Sequence, residues 1–168
     1  MSLSGKSKKF VVQEHKAKNK HWDLRLQTNG SMESWALPKG PTMNPADKKL
    51  AIMTTPHSIK YSKFEGVIEK GLYGAGKVLQ WDNGQYKIVK GSIDAGFFEF
   101  ELKGKKLKGN FAMIKTKKGW VLVKKRDEFA TKKNIVKTEP KSVKSGKTIS
   151  KITKEDGFIT KDKDLGFS

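Results

Sequence analysis

Residues 21–37, HWDLRLQTNGSMESWAL, decide the fold class. From His21 to Leu26 the side chains alternate, with Trp22, Leu24 and Leu26 on one parity and His21, Asp23 and Arg25 on the other. A period of two is the signature of a β-strand. Asn29-Gly30 is then a hairpin turn signal, and ESWAL resumes the apolar run. The same grammar extends in both directions. KKFVVQEH (8–15) leads through the polar linker KAKNK into the quoted strand. KVLQW (77–81) and QYKIV (85–89) flank Asn83-Gly84 and read as a second hairpin. FFEFEL (97–102) and NFAMIK (110–115) flank the turn-rich KGKKLKG, and Lys118-Gly119 leads into WVLVKK. No apolar stripe repeats at the helical period, so the chain is expected to be all-β, an antiparallel barrel or sandwich. PKGPTMNPADKKL (38–50) reads as a Pro-interrupted loop with one helical turn at Pro45-Ala46-Asp47.

Composition divides the 168 residues into three parts: a basic, flexible segment at 1–9, a β domain at 10–130 and a polar, Lys-rich extension at 131–168. The extension reads either as laid on the β domain or as a free tail. No apolar run approaches the roughly 20 residues that span a bilayer, and MSLSGKSKKF lacks the apolar core of a secretion signal. A cytoplasmic, nucleoid-associated protein is expected. Cysteine is absent, so a metal would have to be bound through nitrogen and oxygen. The formal charge is +19, and all 36 basic residues except Arg25 and Arg126 are lysine. Such a surface attracts polyanions, and lysine suits a phosphate backbone better than a base edge.

Against that background the rarest polar side chains crowd together. The chain has three histidines and two arginines, yet His15, His21 and Arg25 fall within eleven residues, with Asp23 among them. If the strands on either side of KAKNK pair, His15 lies beside His21 and Asp23, and Gln13 shares their face. Two imidazoles and a carboxylate on adjacent strands form a facial ligand set for Mn, Fe or Zn. Arg25 is suited to grip a phosphate bidentately. The competing reading is a polar face that merely meets water, and the scarcity of these residue types favours a site. His57, beside Pro56 and four residues before Tyr61, reads equally well as an ordinary loop histidine. Lys39 in LPKGP is a candidate phosphate ligand, though one lysine among many. EKGLYGAGKVLQW has neither Walker nor dinucleotide spacing and reads as a tight turn.

Taken in order, FVVQEH, HWDLRL, SWALPKGP, HSIKYSKFEGVI, GLYGAGKVLQWDNGQY and WVLVKKRDEFA resemble the successive motifs of the 3′-phosphoesterase domain of bacterial DNA ligase D, over about residues 8–130. PKSVKSGKTISKI is similar to the connector that follows that domain. The resemblance implies a compact β-barrel whose groove holds Mn²⁺ and a phosphate. It implies that His15, His21 and Asp23 bind the metal, and that Arg25 and His57 hold the scissile phosphate with Lys39 and Tyr61 close by. Gln13 and Glu65 match supporting positions. The implied reaction is 3′-end trimming on DNA or RNA/DNA primer-templates: a terminal ribonucleoside is removed, then the remaining 3′-phosphate, leaving a 3′-hydroxyl. With no ligase or polymerase domain expected here, a separate ligase, polymerase and end-binding protein would cooperate with a monomer. Two alternatives remain at this level. One is a non-catalytic nucleic-acid-binding barrel. The other is an Fe(II)-dependent oxygenase built on His21, Asp23 and His57, which would leave His15 and the charge without a role.

Overall fold

A computed structural model describes residues 7–167. The described residues form ten strands: β1 (Lys8–Lys16), β2 (Lys20–Gln27), β3 (Met32–Leu37), β4 (Lys49–His57), β5 (Gly66–Ile68), β6 (Gly76–Ser92), β7 (Phe97–Gly104), β8 (Lys108–Thr116), β9 (Gly119–Lys124) and β10 (Phe158–Ile159). Of the segment expected to precede the barrel, residues 1–6 lie outside those described, and Lys8 and Lys9 already belong to β1. The sheet runs β1-β2-β3-β4-β9-β8-β7-β6, and pairing of β1 with β6 closes these eight strands into an antiparallel barrel. β5 adds to the far edge of β6, and β10 pairs parallel with β5. Closure removes the free edges that an open sheet exposes. No helix among the described residues is long and apolar enough to cross a membrane.

The Asn29-Gly30 turn is as expected, closed by a bond from the Thr28 amide to the Ser31 carbonyl (2.8 Å). Asn83-Gly84 is not a turn. β6 continues straight through it for 17 residues, and Gly84 is there because the neighbouring strand comes so close. A Cβ at Gly84 would stand 2.1 Å from the Lys103 carbonyl oxygen. Gly84→Ala is therefore expected to cost about 1–3 kcal/mol, the range for overpacking, read as a lower urea midpoint. An unchanged midpoint would show that β6 and β7 separate freely there. At Pro45-Ala46-Asp47 the chain makes a single turn rather than a helix, through the Asp47 amide and Asn44 carbonyl (3.0 Å).

Inside the barrel Trp22, Leu24 and Leu26 meet Trp35, Trp81 and Phe98 in one apolar core. β6 meets β5 at residues 76–78 and β7 from Gly84 onward, so residues 79–83 leave a seam on that edge. Buried side chains and the extension fill it. Glu65 accepts from the Gln80 amide (2.8 Å) and the Ser142 hydroxyl (2.6 Å), and the Val143 amide donates to the Gln80 carbonyl (2.9 Å). Asp82 accepts from the amides of Asn83, Lys105, Lys106 and Leu107. Residues 131–167 are thus laid along the barrel. Ile135, which opens the short helix α2 (Ile135–Thr138), and Ile152 join the main core. Ile159 and Leu165 form a second core outside the barrel with Tyr61, Ile68 and Val78. This second core packs the helix α1 (Ile59–Ser62) against the outer wall of β6.

Candidate active site

The polar face of β2 is buried rather than wet. Asp23 and Arg25 keep 5% and 2% of their surface, because α1 and the segment around Leu165 cover the outer wall of the barrel. The β1–β2 register sets His15 opposite His21 and Gln13 opposite Asp23. One ligand atom each from His15, His21 and Asp23 falls within 4.8 Å of the others. His15 Nδ1 lies 3.9 Å and His21 Nε2 3.2 Å from Asp23 Oδ2. The other nitrogen of each ring meets a backbone carbonyl: His15 Nε2 at Gly74 (2.6 Å) and His21 Nδ1 at Asn19 (3.3 Å). A carbonyl on the outer nitrogen fixes the tautomer and leaves the inner nitrogen facing the cluster, as metal-binding histidines require.

The electrostatics fit a cation in that space. Burial opposes the charged form of Asp23, but the Arg25 guanidinium and the His21 hydrogen bond outweigh it and hold the carboxyl below its ordinary range. His15 is pushed down by burial, so its ring is neutral. His21 is held up: burial opposes this, but the bond to Asp23 prevails. Metal uptake would use two oriented imidazoles and one carboxylate, in competition with the proton that the bond to Asp23 favours on His21. Such a set, with positions left open, suits Mn, Fe or Zn.

Beside this group Arg25 is held from several sides. Its Nε donates to Gln13 Oε1 (2.6 Å), one terminal nitrogen donates to Ser34 Oγ (2.9 Å), and the other to Asp23 Oδ2 (3.3 Å). The guanidinium lies 5.3 Å from the Tyr61 ring centroid. Gln13 in turn donates to the carbonyls of Tyr61 (3.0 Å) and Phe64 (3.1 Å), which locks the α1 region to β1. α1 starts where the Ser58 hydroxyl caps the Tyr61 amide (3.0 Å).

His57 is the last residue of β4 and pairs with Met32, so a strand rather than a loop positions it. Its Nδ1 lies 3.1 Å from Arg25 and 2.9 Å from the Thr55 carbonyl, and its ring packs on Tyr61. Burial and the adjacent guanidinium lower its pKa from 6.5 to about 4. The unfolded chain therefore takes up a proton at this ring before the folded one does. The contribution is intact above pH 6.5 and is lost as pH falls towards 4. Urea titrations between these limits should show wild type losing more stability than His57→Gln. Parallel curves would mean the ring is not shielded.

A cavity of about 210 Å³ joins these parts, lined by His15, His21, Asp23, Arg25, His57 and Tyr61. Gln13 sits behind Arg25, out of the cavity lining. Lys39 is exposed on the turn after β3 and is not among the lining residues, and Glu65 lies in the barrel seam. Among the described residues it is His15, not His57, that converges with His21 and Asp23. The cavity also takes Tyr73, Gly74, Leu165 and Phe167, none of which was anticipated as a site residue. The glycine-rich turn GLYGAG held the one available signal for the first two, since such a turn brings backbone close to a neighbour, but turn chemistry alone does not say which neighbour. Nothing in the sequence around Phe167 marked it.

The DNA Ligase D 3′-phosphoesterase domain pattern matches residues 13–115, a span that holds all nine anticipated site residues. The chain belongs to this family. The multifunctional non-homologous end joining protein LigD of Pseudomonas aeruginosa is 38% identical over 152 residues, covering 84% of this chain and 18% of that protein. The protein of the same name from Mycobacterium bovis is 41% identical over 116 residues, covering 68% of this chain and 15% of the relative. The Mycolicibacterium smegmatis protein is 38% identical over 135 residues, with 74% and 18% covered. This phosphoesterase domain thus spans less than a fifth of the length of the LigD proteins it matches. Phe167 lies beyond the matched pattern.

Proposed function

We propose that this phosphoesterase domain trims 3′ ends of DNA or RNA/DNA primer-templates, using a divalent cation, Mn²⁺ by preference, held by His15, His21 and Asp23. The observation that carries the reading is the convergence of three ligand atoms within 4.8 Å in the same cavity as a buried, multiply anchored Arg25. Each of the two steps is a hydrolysis. An oxygen from water bonds to phosphorus, the bond from phosphorus to the sugar oxygen breaks, and that oxygen takes a proton. The first step releases the terminal ribonucleoside and leaves a 3′-phosphate. The second releases inorganic phosphate and leaves a 3′-hydroxyl.

Held by His15, His21 and Asp23, the cation would supply Lewis-acid neutralisation of the phosphate and would acidify water. Arg25 supplies a fixed positive fork where charge gathers on the phosphoryl oxygens, and Gln13 and Ser34 keep that fork from turning. His57 is neutral at pH 7, with Nδ1 directed at Arg25 and Thr55. It therefore serves as a neutral hydrogen-bonding contact for the phosphate rather than as a store of acid. Tyr61 lines the cavity against Arg25. The lysine-rich surface, Lys39 included, would hold the strand without reading sequence. The names of the relatives place them in non-homologous end joining, and we extend that role to this chain. A monomer acting on DNA in the nucleoid would pass trimmed ends to a ligase, alongside a polymerase and an end-binding protein.

The test is a gel assay on labelled primer-templates ending in a 3′-phosphate or a single 3′-ribonucleotide, with Mn²⁺ or with EDTA. Conversion of both to a 3′-hydroxyl with Mn²⁺ only is the expected result. No conversion with any divalent cation, while the duplex still shifts on a native gel, would make this a binding module.

A further inference from the structure

Two large aromatic rings stand at the rim of the cavity and present part of their surface to solvent. Tyr73 is 74% exposed and Phe167 44% exposed, and both line the cavity that holds the metal-binding group. Their centroids are 5.4 Å apart at an interplanar angle of 61°, and Phe167 also packs on His57 at 4.8 Å. An exposed aromatic pair on a strongly cationic protein is informative, whereas a scattered surface leucine is not.

Both rings are tied to the reacting centre through backbone. Tyr73 precedes Gly74, whose carbonyl meets His15 Nε2 at 2.6 Å. Phe167 follows Gly166, whose carbonyl accepts from the Ser58 amide at 2.6 Å, and Phe167 bridges to His57 itself. Gly166 has φ +78°, and a Cβ there would fall 2.4 Å from Tyr61 Cβ, so only glycine lets the segment approach this closely. Leu165 anchors it from the other side in the second core. The pair is thus held in fixed register with His15 on one flank and His57 on the other.

The charge around the rings indicates what they meet. The segments that carry them, residues 69–75 and 161–167, balance their charges, with Glu69 against Lys70 and Asp162 and Asp164 against Lys161 and Lys163. The β1–β2 turn, which follows His15 and precedes His21, instead carries Lys16, Lys18 and Lys20 with no acid of its own, Lys20 meeting Glu14 of β1 at 2.9 Å. A polyanionic strand belongs on such a cationic turn. The neutral rim suits the uncharged, flat part of the substrate that projects past the scissile phosphate. Bases stack on aromatic side chains irrespective of their identity, because every base presents a π face.

We propose that Tyr73 and Phe167 form a stacking platform for the base of the terminal ribonucleoside. This rests on the two-step reaction proposed above, and it makes the pair a determinant of the first step, because a 3′-phosphate end carries no such base. The two rings position the leaving nucleoside and hold the scissile phosphate at Arg25 while the water attacks.

The test compares kcat/KM for removal of a single 3′-ribonucleotide with that for removal of a 3′-phosphate from the same primer. In Tyr73→Ala the ratio of the first to the second is expected to fall about tenfold, the effect of losing one stacked base, and Tyr73→Phe should restore it. An abasic terminal ribose should cost the wild type a similar factor and cost Tyr73→Ala no more. An unchanged ratio, or a ratio that Tyr73→Phe fails to restore, would overturn the platform. A separate readout needs no turnover: with EDTA present, a terminal 2-aminopurine riboside should be quenched on binding wild type and not on binding Tyr73→Ala. Quenching without hydrolysis would refute the reaction and keep the platform. Hydrolysis without differential quenching would do the reverse.

Discussion

Asp23→Asn should lower 3′-phosphate removal roughly a thousandfold, the scale of several kcal/mol of lost charge stabilisation at a metal. The substitution keeps the shape of the side chain and removes its charge. In the folded protein that charge is shared by His21 at 3.2 Å and Arg25 at 3.3 Å, and it faces His15 at 3.9 Å. Without it, two imidazoles and a guanidinium are left around a neutral amide, and a divalent cation has no anionic ligand to offset its charge. The amide oxygen can still accept from Arg25, so the fold should survive with a stability loss of about 1–3 kcal/mol. Urea unfolding of the variant separates the two effects. Turnover within tenfold of wild type would remove Asp23 from the ligand set.

Arg25→Lys is the second large effect, at about 100- to 1000-fold in kcat. Arg25 reaches Gln13, Ser34 and Asp23 through three different nitrogens while lying against the Tyr61 ring. An ammonium is one point on a flexible stem and cannot occupy those three directions together. Gln13 Oε1 would lose its 2.6 Å donor in a fully buried place, and Gln13 also holds Tyr61 and Phe64. The loss should appear in kcat rather than KM if the fork acts on the developing charge. A rate near wild type would mean that Arg25 contributes only charge.

The pairing of His15, His21 and Asp23 was legible because a strand period of two and one short hairpin linker fix which side chains meet. No long-range information was needed. The hairpin assigned at Asn83-Gly84 failed for the opposite reason. Glycine serves both tight turns and close strand approach, and only the Lys103 carbonyl, some twenty residues away, decides between them. The burial of Asp23 and Arg25 was equally out of reach. Their cover comes from α1 and from residues near Leu165, and no local pattern announces that a polar, lysine-rich segment folds back over the site. His57 reads as a loop residue because Pro56 precedes it, yet β4 carries it to its end. Lys39 shows the limit of motif reasoning: PKGP is a specific string, and the turn that it forms points its lysine into solvent.

The most direct check of the metal assignment is a Mn²⁺ titration followed by electron paramagnetic resonance, in which free Mn²⁺ gives the signal and bound Mn²⁺ is lost from it. Wild type should remove one equivalent per chain, and Asp23→Asn, folded by circular dichroism, should remove none. Equal binding by the two proteins, or no binding by wild type, would contradict a centre built from His15, His21 and Asp23.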